Sequence, residues 1–175
     1  VQRREAVRVR GAALALPFLP RGSEAAWRLG EQLHARLGDV PFRTFNSAQQ
    51  PLVTNIAEMI IPETDTPGAT SVRVPEFIDL ILTERATDEE RTALLAGLAD
   101  IDVHASAMGQ PRFADLAPAR RTELLTALDG AKEDHKSGAV TTFRRLKAHT
   151  VYGYFTSKPV QQDIPKTQMF FNVSD

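Results

Sequence analysis

Leucine and isoleucine recur at three- and four-residue steps along most of this chain, and that spacing constrains its fold more than any other feature. The longest run is Leu94, Leu98, Ile101, Ala105 and Met108, which places every apolar side chain on one stripe of a helix. Thr87 and Glu90 before it have the spacing of a capping box, and Gly109 after it is a plausible stop. Leu29, Leu33 and Leu37 repeat the pattern from Ser23 to Gly38, and Leu52, Ile56, Met59 and Ile60 repeat it between a cap candidate at Ser47 and Pro62. Leu124, Leu125 and Leu128 follow Pro118 and stop near Gly130, and Val140, Phe143, Leu146 and Thr150 run to an expected break at Gly153. No alternating pattern suited to a strand extends beyond a few residues. The class is therefore all-α, an irregular bundle of about five to six helices with extended N- and C-terminal arms.

Residues 1–20 form one unit of the chain, 21–46 an amphipathic helix with its connector, 47–157 the helical body and 158–175 a tail without period. Arg3, Arg4, Arg8 and Arg10 precede the short apolar stretch Gly11 to Pro20, the layout of a bacterial export signal, with Arg3-Arg4 resembling the twin-arginine type. The other reading is an arm docked on a neighbouring surface. No stretch of the chain approaches the roughly 20 apolar residues that a membrane-crossing helix requires.

Charge and composition narrow the function. Lys plus Arg is 21 against 22 Asp plus Glu, a net charge of −1, so no basic excess is available for a phosphate backbone. The absence of cysteine rules out a disulfide framework, thiolate zinc, iron–sulfur clusters and covalent haem attachment. A glycine-rich dinucleotide loop, a Walker loop and a G-x-S-x-G elbow are all missing from the sequence. Glu31 and His34 form a single Glu-x-x-His unit, where a carboxylate-bridged metal pair needs two. Asp100 with His104 reads as a surface pair, and His135 and His149 as solvated side chains. Glu63 and Asp65 converge on one loop, but residues of the type Thr64-Asp65-Thr66 before Pro67-Gly68 ordinarily satisfy loop amides rather than do acid–base chemistry. The expectation is that this chain has no catalytic, metal or cofactor-binding residue of its own.

Two further expectations concern structure. Pro67-Gly68 fits the centre of a type II turn, which predicts a positive φ at Gly68 and makes Asp65, Pro67 and Gly68 a structural loop. The helix from Pro75 to Thr83 is apolar nearly all round, with Phe77, Ile78, Leu80, Ile81 and Leu82, while Met169, Phe170 and Phe171 lie on the aperiodic tail. A domain of this size can bury one of these sets, so the other is expected against a second protein chain. With Tyr154 and Phe155 beside Gly153, the candidate partner contacts are Phe77, Ile81, Tyr154, Phe155, Met169, Phe170 and Phe171.

Four blocks carry a resemblance. Ile60-Ile-Pro-Glu-Thr-Asp-Thr-Pro-Gly-Ala69, Val74-Pro-Glu-Phe-Ile-Asp79, Gly97-Leu-Ala-Asp-Ile-Asp102 and Tyr152-Gly-Tyr-Phe-Thr-Ser157 resemble, in order, the blocks of the gluconate 2-dehydrogenase subunit 3 family. The resemblance implies an accessory, non-catalytic small subunit that supports folding, export and assembly of a periplasmic FAD-dependent sugar or gluconate dehydrogenase of the glucose–methanol–choline type. It implies FAD in that large subunit, often a multihaem cytochrome c as a third subunit, and any membrane association through those partners. Family small subunits commonly carry the twin-arginine signal, in agreement with Arg3 and Arg4. The family often closes on Pro-Gly-x-Tyr and a terminal Gly or Cys segment, whereas this tail ends Met169-Phe-Phe-Asn-Val-Ser-Asp175. A structural subunit of another membrane or envelope complex that has recruited the fold is the alternative reading.

Overall fold

A computed structural model describes residues 23–38, 42–132 and 137–163. Seven helices account for most of them: α1 Ser23–Ala35, α2 Gln49–Ile60, α3 Val74–Arg85, α4 Asp88–Ala107, α5 Pro118–Asp129, α6 Gly138–Phe155 and α7 Lys158–Asp163, with a 3-10 turn at Phe113–Asp115 before α5. Among the described residues there is no strand. The export-signal residues Arg3 and Arg4 and the tail residues Met169, Phe170 and Phe171 lie outside the described residues, as does His135.

The ends of the helices show why the chain folds locally as it does. Thr87 and Glu90 form the capping box, the Thr87 hydroxyl accepting from the Glu90 amide at 3.2 Å and the Glu90 carboxylate from the Thr87 amide at 2.9 Å. Pro75 and Pro118 stand in first turns, where a missing N–H leaves no bond unmade. Gly38 and Gly109 follow α1 and α4 with φ of 35° and 94°. At α2 the cap differs from the expected Ser47: the Asn46 side chain accepts from the amides of Ala48 and Gln49, both at 3.0 Å. An Asx-type turn one residue earlier does the work that Ser47 was expected to do.

α6 is the central helix, packed by α2, α3, α4, α5 and α7. Its buried side chains Val140, Phe143, Leu146 and Tyr154 join Leu52, Val53 and Ile56 of α2, Ile78 and Leu82 of α3, Leu94, Leu98 and Ile101 of α4 and Leu124, Leu125 and Leu128 of α5 in one core. A second, smaller cluster comprises Leu33 and Leu37 from the α1 segment with Phe77, Leu80 and Ile81 of α3. α3 is apolar nearly all round because it lies between these two clusters.

That arrangement corrects three expectations. Phe77 and Ile81, expected against another chain, are both 0% exposed and covered by α1 of the same chain. Periodicity measures the width of an apolar face and does not identify what covers it. The expected break at Gly153 is absent, since α6 continues to Phe155. Gly153 is required instead by crowding: a methyl group there would come within 2.7 Å of the Phe77 ring. The segment after Ser157, expected to lack regular structure, begins as the short helix α7 with Val160 buried in the main core.

Candidate functional site: the loop between α2 and α3

The first family-like block leaves α2 at Ile60, and residues 61–73 run to α3 as a segment exposed at Pro62 to Thr66 and buried at Gly68, Ala69 and Val72. Its anchor is Glu58, on the last turn of α2. One carboxylate oxygen accepts from the Glu63 amide and the other from the Thr70 amide, each at 2.9 Å. The Ala69 amide donates to the Ile61 carbonyl at 2.9 Å and closes the base of the loop. Within it, the Thr64 amide donates to the Thr66 carbonyl at 3.0 Å, and the Thr64 hydroxyl to the Asp65 carboxylate at 3.0 Å. From the other end of the chain, the Tyr154 hydroxyl donates to the Pro67 carbonyl at 2.8 Å.

Gly68 lies at the centre of this arrangement, but for a reason other than turn geometry. Its φ is not positive, so Pro67-Gly68 is not the expected type II turn. A methyl group at Gly68 would overlap the Glu58 carboxylate and approach the Glu63 nitrogen at 2.7 Å. Glycine is needed because the carboxylate that gathers the loop passes directly against the backbone.

The electrostatics follow from these bonds. Partial burial raises the Glu58 pKa, but the hydrogen bonds from Thr70 and Glu63 outweigh it and hold the carboxyl below its ordinary value. Glu63, Thr64, Asp65 and Thr66 face water, with their backbone fixed from beneath. Chemically, the loop is a stiff polar projection suited to being contacted, because little conformational freedom is left to lose on contact.

The other candidate residues fall elsewhere. Tyr154, expected at a partner, is 5% exposed and spends its hydroxyl on the loop. Phe155 is half-buried against the core and meets Tyr154 edge-on at 5.4 Å between ring centroids. Glu31 accepts from the Trp27 indole at 2.9 Å, while His34 Nε2 donates to the Gly153 carbonyl at 2.7 Å, so the two residues of the Glu-x-x-His unit face separate partners. Among the described residues no three His, Asp or Glu side chains gather as a metal site would require. His149, expected in solvent, is completely buried on α6, its Nδ1 donating to the Arg145 carbonyl at 2.8 Å.

Two residues escaped the sequence reading. One is Glu58, whose only sequence signal is an acid in the last turn of a helix, where the dipole disfavours negative charge unless donors compensate it. The other is Asp79, 4% exposed, whose carboxylate accepts from the amides of Arg43 at 2.8 Å, Thr44 at 2.9 Å and Phe45 at 2.8 Å. It gathers the connector before α2 as Glu58 gathers the loop after it.

All four sequence blocks thus have structural tasks. The first is the loop, and the second contributes Phe77 and Asp79. The third places Gly97 against Thr142 of α6 and lets Asp102 accept from the Phe113 amide at 2.8 Å. The fourth contributes Tyr154 to the loop and Tyr152 and Gly153 to the α3 contact. The family model described as gluconate 2-dehydrogenase subunit 3 matches residues 47–170, a span that contains all four blocks. No curated protein and no solved structure matches the chain. With the family model covering most of its length, this chain belongs to the gluconate 2-dehydrogenase subunit 3 family.

Proposed function

We propose that this protein is the accessory small subunit of a periplasmic FAD-dependent dehydrogenase acting on a sugar or gluconate, and that it supports folding, export and assembly of the large subunit. The observation that carries the reading is the family match over residues 47–170, since the family is described as a subunit of gluconate 2-dehydrogenase. On this reading FAD resides in the large subunit, a multihaem cytochrome c completes some assemblies, and the segment with Arg3 and Arg4 addresses the complex to the twin-arginine route. No helix among the described residues is long and apolar enough to cross a membrane; on this reading any membrane association is through partners.

The fixed loop supports a binding role. Glu63 to Thr66 are presented on backbone already ordered by Glu58 and Tyr154, which reduces the entropy lost when a partner engages. On this reading the apolar share of the partner contact falls to Met169, Phe170 and Phe171 of the tail, chosen because they lie on a segment without periodicity.

The test is affinity capture of the full chain from its native host, with mass identification of what accompanies it. A large flavoprotein of the glucose–methanol–choline type in fixed ratio is the expected result. Recovery of the chain alone, or with an envelope assembly lacking flavin, overturns the reading. Replacing Arg3 and Arg4 with Lys should leave both subunits in the cytoplasmic fraction, and unchanged export would remove the signal from the proposal.

A further inference from the structure

Arg73, the residue before α3, has a φ of 63° and a ψ of 35°, and among the described residues it is the one side chain beyond hydrogen carried on a positive φ. That region crowds Cβ against the backbone, so an arginine occupies it only where its surroundings impose it. Here the loop between α2 and α3 imposes it. The Val74 amide donates back to the Ala69 carbonyl at 2.9 Å, and the Arg73 amide to the Thr70 carbonyl at 3.0 Å. This nested pair is the Schellman closure, in which the residue at the place of Arg73 must be left-handed and is usually glycine. Glu58 fixes the start of the turn by accepting from the Thr70 amide at 2.9 Å.

The side chain that glycine would lack makes two contacts. Nη1 donates to the Gly38 carbonyl at 2.5 Å, just past the end of α1, and Nε donates to the Glu76 carboxylate at 3.3 Å, which steadies the guanidinium from the first turn of α3. The charge stands at the C-terminal end of α1, where unpaired carbonyls and the helix dipole favour a cation. α1 depends on such ties. It lies outside the family-matched residues 47–170, and its Leu33, with Leu37 after it, belongs to the smaller cluster on Phe77, Leu80 and Ile81 rather than to the main core. Its other polar ties, Arg36 to Glu84, His34 to Gly153 and Tyr152 to Ala26, run to α3 and α6. The Arg73 contact alone among these leads back to the loop.

We propose that Arg73 is a strained latch that couples the loop between α2 and α3 to α1. The loop imposes the left-handed backbone, that backbone aims the guanidinium, and the guanidinium holds the end of α1 over Phe77, Leu80 and Ile81. Three contacts in series, Glu58 to Thr70, Thr70 to Arg73 and Arg73 to Gly38, join α2 to the end of α1. Because coupling is reciprocal, whatever fixes the loop also fixes α1.

Hydrogen exchange on the full chain tests this, with the amides of Arg36 and Leu37 reporting on the end of α1 and those of α6 serving as the internal reference. Arg73→Gly and Arg73→Ala should each speed exchange at Arg36 and Leu37 about tenfold relative to α6, the scale of one lost charge-assisted hydrogen bond. The two variants should part in thermal midpoint, Arg73→Gly melting higher, because glycine adopts the left-handed turn without strain and alanine does not. Glu58→Ala, made in α2, should also speed exchange at the end of α1, and should add little on the Arg73→Gly background. Unchanged exchange at Arg36 and Leu37 in Arg73→Gly, or a change matched by α6, overturns the latch. Equal midpoints for the glycine and alanine variants overturn the strain, and full additivity of Glu58→Ala with Arg73→Gly overturns the coupling.

Discussion

At Gly68 one hydrogen atom decides the form of the loop. Gly68→Ala forces the Glu58 carboxylate away and with it the bonds to Glu63 and Thr70, so destabilisation of about 1–3 kcal/mol is expected. The same change made on Glu58→Gln should add much less, because the displaced carboxylate is already gone. Full additivity in chemical denaturation would show that the crowding acts elsewhere. The acid response has a definite sign. The folded pKa of Glu58 lies below its ordinary value of 4.5, so its contribution is complete above that value and lost as pH falls through the folded pKa. Amide exchange at Glu63 and Thr70, corrected for intrinsic rates, should accelerate in that range ahead of the core helices.

At the scale of the elements, carboxylates tie segments that have no regular hydrogen bonding of their own. Asp79 projects from α3 and gathers three successive amides of the connector before α2. Asp79→Ala leaves those donors short of an acceptor in a place where water enters poorly, and about 3 kcal/mol of stability should be lost. Asp79→Asn retains an acceptor oxygen and should recover part of it. A thermal midpoint unmoved by Asp79→Ala would mean that the connector finds other acceptors. Such ties also explain which element-level readings succeeded. The capping box at Thr87 and Glu90 was legible because both partners lie within four residues of each other, as were the glycine stops after α1 and α4. The grip of Asp79 on residues 43–45 was not, because it joins positions more than thirty apart and no local pattern announces it.

Across the whole molecule, α6 gathers the core, and with it buries His149 completely. Burial is the main cause that takes this imidazole down to about 4, with the Arg145 charge acting the same way and the Arg145 carbonyl bond opposing. The unfolded chain binds a proton near pH 6.5 that the folded chain refuses, so stability should fall as pH drops from 6.5 toward 4. The full loss is about 3 kcal/mol. Urea midpoints measured from pH 7.5 to pH 4.5 should show this slope, and His149→Gln should reduce it. A flat profile in the wild type would contradict the burial. The tail gives a prediction at the same scale. Replacing Phe170 and Phe171 with Ser should weaken association with the partner and leave the helical content nearly unchanged, whereas unfolding of the isolated subunit would assign the tail to the internal core.

By itself, the sequence determined the helical class, most helix positions and the family, because each rests on short-range spacing: a 3.6-residue period, a cap within one turn, a run of contiguous block residues. Tertiary structure alone decided what covers each apolar face and where each buried polar group finds its partner. Phe77 and Ile81 were read correctly as residues needing cover, and only the seating of α1 showed that the cover is internal. Gly68 was read as a turn residue needing a positive φ, which it does not have, and only the approach of Glu58 showed that space constrains the position. Tyr154 was singled out as an aromatic anchor, yet its acceptor, the Pro67 carbonyl, is 87 residues away. Spacing along a chain records how one segment meets a surface, but packing joins segments whose separation in sequence places no limit on their distance in space.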